Sequence, residues 1–153
     1  AVAERRELAP FKSTVELAEV VASVVRPTGK GIHPATRTFQ ALRIVVNDEL
    51  GQLVKGLAAS ERLLTPGGRL AVVSFHSLED RRVKKFLSAR SEGRARPSRH
   101  VPVSDEGPAP TFKLVKRGAF KARADELAVN PRSRSARLRG AIRTAAPAWT
   151  EAA

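Results

Sequence analysis

The chain has 153 residues, 42% of them apolar and only 5% aromatic, with 28 basic against 15 acidic side chains and a net charge of +13. That length accommodates one domain with a real core, built mostly of Leu, Val and Ala. The absence of cysteine excludes disulfides, thiolate metal sites and a cysteine nucleophile, and no apolar run approaches the roughly eighteen residues of a membrane span.

The charge is unevenly placed. Residues 1–30 carry five basic and four acidic side chains, residues 31–80 five of each, and residues 81–153 eighteen against six. A cationic surface of that density suits a phosphate backbone, because each neutralised phosphate releases counterions and adds salt-dependent affinity. An Arg-rich solubilising surface is the alternative. The first residues, AVAERRELAP, lack the apolar stretch of a signal peptide, so a soluble, cytoplasmic protein is expected. No methionine occurs, even at position 1, which suggests residues cut from a longer protein.

Residues 1–12 are polar and read as the tail of an earlier element. Ser13-Thr14-Val15-Glu16 fits a capping box, the hydroxyl on the backbone N–H three residues on and Glu16 reaching back. Leu17, Val20, Val21, Val24 and Val25 then predict an amphipathic helix of about 13 residues. Pro27 and the glycines around Lys30 stop it. Thr28-Gly29-Lys30-Gly31 lacks the full phosphate-loop pattern and follows no strand, so it reads as a hinge.

His33-Pro34 opens a second helix, where proline is tolerated in the first turn. Phe39, Leu42, Val46, Leu50, Leu53 and Leu57 mark one face, and Thr36, Gln40, Arg43 and Asn47 form a polar stripe beside it. Such a flanking stripe is expected to be partly buried, either pinning the helix to its neighbours or lining a substrate cleft. Gly51 and Gly56 each weaken a helix by up to about 1 kcal/mol relative to Ala, which places the expected break near one of them.

The densest stretch is Thr65 to Lys85. Pro66-Gly67-Gly68 makes a turn, and Leu70–Val73 is an apolar run of the kind buried on both faces of a parallel sheet. A polar crest follows, Ser74-Phe75-His76-Ser77, with Glu79 and Asp80 just beyond. Ligands of open α/β sheets sit past the carboxyl ends of the strands, so Ser74, His76, Ser77, Glu79 and Asp80 are candidate catalytic groups. A capping account stands beside this one, with Ser77 as N-cap and the two acids complementing the positive helix end. Val83, Phe86 and Leu87 give the helix its apolar face, and Arg81, Arg82, Lys84 and Lys85 surround it with charge.

Residues 91–111 read as a loop whose Arg94, Arg96 and Arg99 either follow RNA phosphates or are simply solvated. Phe112–Lys116 reads as a strand, Asp125–Val129 as a short helical turn, and Arg137–Arg143 as a half-exposed strand antiparallel to 112–116. The tail after Thr144 is expected to fray. His33, His76 and His100 have no metal-ligand spacing, so no metal is expected, and no dinucleotide fingerprint or nucleophile elbow occurs.

Three motifs, HPATRTFQALRIVVNDEL at 33–50, PGGRLAVVSFHSLEDRRVKKF at 66–86 and NPRSRSARLR at 130–139, together resemble the MraW family of bacterial methyltransferases, which act on the N4 amine of a cytidine in small-subunit (16S) ribosomal RNA. The resemblance spans residues 8–143 and corresponds to the C-terminal half of the family protein. It implies an α/β fold, the C-terminal part of a class I, Rossmann-like methyltransferase sheet plus the tail of an inserted helical domain. Residues 1–32 would close that substrate-recognition insert, residues 33–145 would belong to the methyltransferase domain, and residues 146–153 would be a frayed tail. Leu70–Phe75 would be the fifth strand, and Phe112–Lys116 with Arg137–Arg143 the closing antiparallel pair.

The resemblance also implies S-adenosylmethionine as cofactor, with its site mostly in the missing N-terminal half, no cofactor-binding residue here and no activity for the chain alone. Ser74, His76, Ser77, Glu79 and Asp80 would border the base pocket as orienters or proton acceptors, and His33, Arg37, Arg43 and Asn47 would shape its wall. Arg81, Arg82, Arg132 and Arg134 would meet RNA phosphates, which position rather than specify. The partners implied are 16S ribosomal RNA in the small ribosomal subunit and the N-terminal half of the same protein, without a membrane; a homodimer stays open. Two rival readings are a non-catalytic basic module that binds ribosomal RNA and a methyltransferase acting on DNA or protein.

Overall fold

The computed structural model describes residues 1–27, 31–91 and 108–149, so the expected hinge at 28–30, the arginines 94, 96 and 99, and residues 150–153 lie outside the description. The chain divides into two compact units, Ala1–Glu49 and Leu50–Ala153.

The first unit is helical. A seven-residue helix, α1 (Val2–Leu8), stands where the sequence suggests only a tail. Helix α2 (Thr14–Val24) starts as its capping box predicts: Ser13 Oγ accepts from the Glu16 N–H at 3.2 Å. The Glu16 carboxylate reaches one residue further back than expected, to the Lys12 N–H at 3.2 Å. Helix α3 (Thr36–Val46) follows the turn at Pro34, with His33 Nδ1 accepting the Ala35 N–H at 3.2 Å.

The helix break falls at Asn47-Asp48 and not at a glycine. Asp48 adopts φ +48°, a left-handed conformation that Asp tolerates better than most side chains, and α4 (Glu49–Leu63) then runs unbroken through Gly51 and Gly56. Arg43 spans the break by a two-pronged pair with Glu49, at 2.7 and 3.2 Å. The polar stripe is less buried than expected: Gln40 is half-buried, but Thr36, Arg43 and Asn47 are exposed. Val45 and Val46 are also exposed, at 78% and 79%.

The second unit is a mixed α/β layer structure. It contains β1 (Arg69–Ser74), α5 (Ser77–Ser91), β2 (Phe112–Leu114), α6 (Ala124–Val129), a 3-10 turn at Pro131–Ser135 and β3 (Arg137–Arg143). The strands lie in the order β1-β3-β2 and both pairings are antiparallel. Arg69 faces Ile142 and Ser74 faces Arg137 across the first pair; Phe112 faces Arg143 across the second. The expected pairing of the last two strands is therefore present, but β1 is not a parallel strand within the described residues. Nor is it buried on both faces. Leu70 and Val72 point to the core while Val73 is 54% exposed, the alternation of a sheet covered on one side.

That covered side holds Val83 and Leu87 of α5, Leu57 of α4, Phe112 of β2 and Ala141 of β3. Further ties close the unit. At the turn before β1, Gly67 has φ +82° and donates its N–H to the Arg143 carbonyl at 2.8 Å, while the Arg143 N–H donates to the Gly68 carbonyl at 2.8 Å. Behind it, Glu61 is 2% exposed, and its carboxylate accepts from Arg90 Nε at 3.0 Å and from the Thr111 hydroxyl. The buried Arg143 donates to the carbonyls of Glu61, Thr111, Thr144 and Ala146. Trp149 donates from Nε1 to the Ala109 carbonyl at 2.9 Å, and its ring lies 5.0 Å from the Arg90 guanidinium. Residues 145–149, expected to fray, are thus tied to the unit. Among the described residues no helix is long and apolar enough to cross a membrane.

Candidate active site and nucleic-acid interface

The crest beyond β1 is a cavity of about 280 Å³ lined by Phe75, His76, Ser77, Asp80, Arg134, Ser135 and Arg137. The bend after β1 supplies Phe75 and His76, the start of α5 supplies Ser77 and Asp80, the 3-10 turn supplies Arg134 and Ser135, and the start of β3 supplies Arg137. Antiparallel pairing brings them together, because Ser74 at the end of β1 faces Arg137 at the start of β3. The predicted residues His76, Ser77, Asp80 and Arg134 therefore converge on one cavity.

Their partners sort them. His76, not Ser77, caps α5: its Nδ1 accepts the Glu79 N–H at 3.4 Å, and Glu79 Oε2 accepts the N–H groups of Phe75 and His76 at 3.0 and 3.2 Å. This is a capping box with imidazole in place of hydroxyl. Since Nδ1 acts as acceptor, the proton of the neutral imidazole sits on Nε2. That atom is buried 3.4 Å from Glu79 Oε1, too far out of line for a hydrogen bond. Asp80 receives two hydrogen bonds from Arg139, at 2.7 and 3.0 Å. They hold its carboxyl below the ordinary value of 3.8, with burial acting in the opposite sense. Ser74 is buried and donates its hydroxyl to the Arg137 carbonyl at 3.4 Å, and it is not among the residues that line the cavity.

Of the predicted phosphate contacts, Arg81 and Arg82 are exposed on α5, and Arg132 and Arg134 are exposed on the 3-10 turn. Only Arg134 of these four lines the crest cavity. In the first unit, His33 and Arg43 line a cavity of about 600 Å³ together with Thr36, Phe39 and Gln40. Arg37 is exposed outside that lining, and Asn47 caps the C-terminal end of α3.

Phe75 escaped the sequence reading of the site. It is 60% exposed beside His76 and Ser77, and an exposed ring is the group on which nucleobases stack. The signal was present, because Phe75 has the same parity along the strand as the exposed Val73. Arg137 and Ser135 were missed for another reason: the long-range pairing that carries them to the crest leaves no local trace. The described residues offer no cradle for an adenosyl cofactor. Of the two glycines with positive φ, Gly67 is bonded into a turn and Gly31 has open space around it, and the crest acids are already engaged.

The chain matches the profile of the MraW methylase family over residues 1–144. It is 64% identical over 150 residues to the ribosomal RNA small subunit methyltransferase H of Paramagnetospirillum magneticum (strain ATCC 700264 / AMB-1), covering 97% of this chain and 47% of that protein. It is 62% identical over 148 residues to the protein of the same name from Rhodospirillum centenum (strain ATCC 51521 / SW), covering 97% and 45%. With the Caulobacter vibrioides (strain NA1000 / CB15N) protein the identity is 55% over 152 residues, covering 99% and 49%. The chain spans about half the length of these curated relatives. Its mixed α/β layer with a small antiparallel sheet agrees with part of a methyltransferase fold, and by a match over nearly all its length the chain belongs to the MraW methylase family.

Proposed function

We propose that the chain forms the C-terminal half of an enzyme that methylates small-subunit (16S) ribosomal RNA at the N4 amine of a cytidine, with S-adenosylmethionine as methyl donor and the cytoplasm as its location. One observation carries this reading beyond the family match: an exposed aromatic ring, Phe75, stands beside a cavity whose rim holds Arg134 and Arg137. In this reading Phe75 stacks on the base and the two arginines hold the flanking phosphates, which fixes the amine for attack. Ser77 lines the same cavity and is exposed, so its hydroxyl is available to the base edge.

The crest acids support this arrangement rather than take the amine proton. Glu79 holds the first turn of α5, and Asp80 is kept ionised and paired by Arg139. The methyl donor supplies the electrophilic carbon when bound, and no step is assigned to it here because the described residues do not cradle it. The N-terminal half that binds it is the proposed partner, and residues 1–32 are proposed to close a helical insert for substrate recognition. His33, Arg37, Arg43 and Asn47 remain proposed contributors to the base-pocket wall.

A second reading, a non-catalytic module that binds ribosomal RNA, is favoured by one fact: both crest acids already have structural partners. Joining the chain to the upstream half of the Paramagnetospirillum relative separates the two. The joined protein should transfer labelled methyl from S-adenosylmethionine to small-subunit RNA. Glu79→Gln and Asp80→Asn should each lower turnover about tenfold or more through misplacement of the base, with a smaller change in RNA affinity. Unchanged turnover in both variants reduces the crest to a helix start. Undiminished RNA binding with no transfer favours the non-catalytic module.

A further inference from the structure

The crest cavity has a neighbour across the Asp80–Arg139 pair. Asp80 lines the cavity, whereas Arg139 lines a shallow notch between α5 and the β2–β3 pair. Lys84 and Ser88 form one wall of the notch, Lys116 and Arg117 the other, and Leu87, Leu114 and Gly140 lie beneath. The ion pair is thus the partition between two sites of different size. The notch offers about 10 Å³ of free space, against about 280 Å³ at the crest. That is close to the room one water needs, so the notch can seat a single oxygen but not a base.

Charge selects the ligand. Arg139 is neutralised by Asp80, but Lys84 and Lys116 are exposed and form no ion pair with a carboxylate among the described residues. Lys116 Nζ stands 5.2 Å from the centre of the Phe120 ring, a cation–π contact that steadies the ammonium group. We propose that this notch is a phosphate site for the RNA strand that reaches the crest, one of its oxygens accepting from Lys84, Lys116 and the Ser88 hydroxyl. The proposal rests on the RNA reading given above. The neutral Asp80–Arg139 partition lets a strand pass from one site to the other without meeting an uncompensated carboxylate. A contact of this kind positions the strand and carries no sequence preference.

The test uses the full chain and a short, labelled single-stranded RNA at several salt concentrations. Lys84→Ala/Lys116→Ala is compared with Lys113→Ala/Lys121→Ala, which removes the same charge at exposed positions outside the notch. The notch variant should bind about tenfold more weakly near 0.1 M salt, and its slope of log affinity against log salt should be shallower by about 0.7, the share of one phosphate. Lys84→Arg/Lys116→Arg should keep the wild-type slope, and far-UV circular dichroism confirms that each variant is folded. Equal losses in the notch and control variants, or none in either, overturn the phosphate site while leaving RNA binding intact. A wild-type chain that binds no RNA overturns the phosphate site, and the RNA reading is then decided by the joined protein's methyl transfer. Notch-dependent binding to phosphatidylserine vesicles in place of RNA would move the surface to a membrane partner and overturn the proposal too.

Discussion

Asp80 and Arg139 are 59 positions apart in the chain and meet through two hydrogen bonds of 2.7 and 3.0 Å, tying the first turn of α5 to the middle of β3. The pair is largely shielded, with side-chain exposures of 24% for Asp80 and 12% for Arg139. Asp80 is held below its ordinary value of 3.8 chiefly by those hydrogen bonds, so the pair stabilises the folded chain above that value. The contribution is lost as pH falls through the lowered, folded-state value. Asp80→Asn should cost about 1–2 kcal/mol at neutral pH. Urea unfolding of both proteins should give a difference that is constant above pH 5 or so and shrinks below the ordinary carboxylate range. A gap that persists undiminished in acid would remove the ion pair as its source.

The Glu79–His76 cap gives a second test. Glu79→Ala frees the N–H groups of Phe75 and His76 together and should lower stability by about 1–2 kcal/mol. Glu79→Gln keeps an acceptor oxygen and should lose less than half of that. Thermal melts of the two variants order them, and equal losses would mean that charge at the helix start matters more than hydrogen bonding.

Glu61 is the most demanding buried group. Glu61→Leu would strand Arg90 and the Thr111 hydroxyl, and should cost about 3 kcal/mol or more. The denaturant midpoint should fall with the slope unchanged. A loss below about 1 kcal/mol would show that Arg143 and Trp149 hold this region without it.

The turn before β1 discriminates between two adjacent glycines. At Gly68 an added Cβ would stand 2.8 Å from the Thr65 carbonyl oxygen, whereas at Gly67 it meets open space and only the φ of +82° opposes it. Gly67→Ala should therefore cost about 1 kcal/mol, and Gly68→Ala should cost more because backbone has to move. Melting temperatures in the reverse order would contradict this account.

For the cofactor, calorimetry of the chain with S-adenosylmethionine should give no measurable heat of binding. Saturable binding would place a cofactor site among these residues and overturn the assignment of that site elsewhere.

Much of the second unit was legible in the residues. The loose alternation in 137–143 points to a strand antiparallel to the one read at 112–116, of which 112–114 form the observed strand, and the order turn, strand, crest, helix is present from Pro66 to Lys85. Among the described residues Leu70–Val73 has only the antiparallel partner β3 and one covered face, which four apolar residues in a row do not record; Val73 is bare because one side of the sheet lacks a helix among the described residues. The helix break shows a similar limit. Two glycines drew attention for their cost, yet Asn47-Asp48 decided the matter by adopting the conformation a break requires. At the site, residue types were informative and partners were not: the two acids were found, but their engagement by Arg139 and by backbone N–H groups depends on contacts invisible along the chain.

The strand order places the last-made strand, β3, between the two made before it. During synthesis β1 and β2 therefore have no partner in each other, and neither can begin its ladder with β3 until Arg137–Arg143 has emerged. Folding of this sheet waits for β3, and the apolar face of α5 stays open to chaperones until then. A stop codon before Gly140 would remove every β2–β3 pair and half of the β1–β3 ladder.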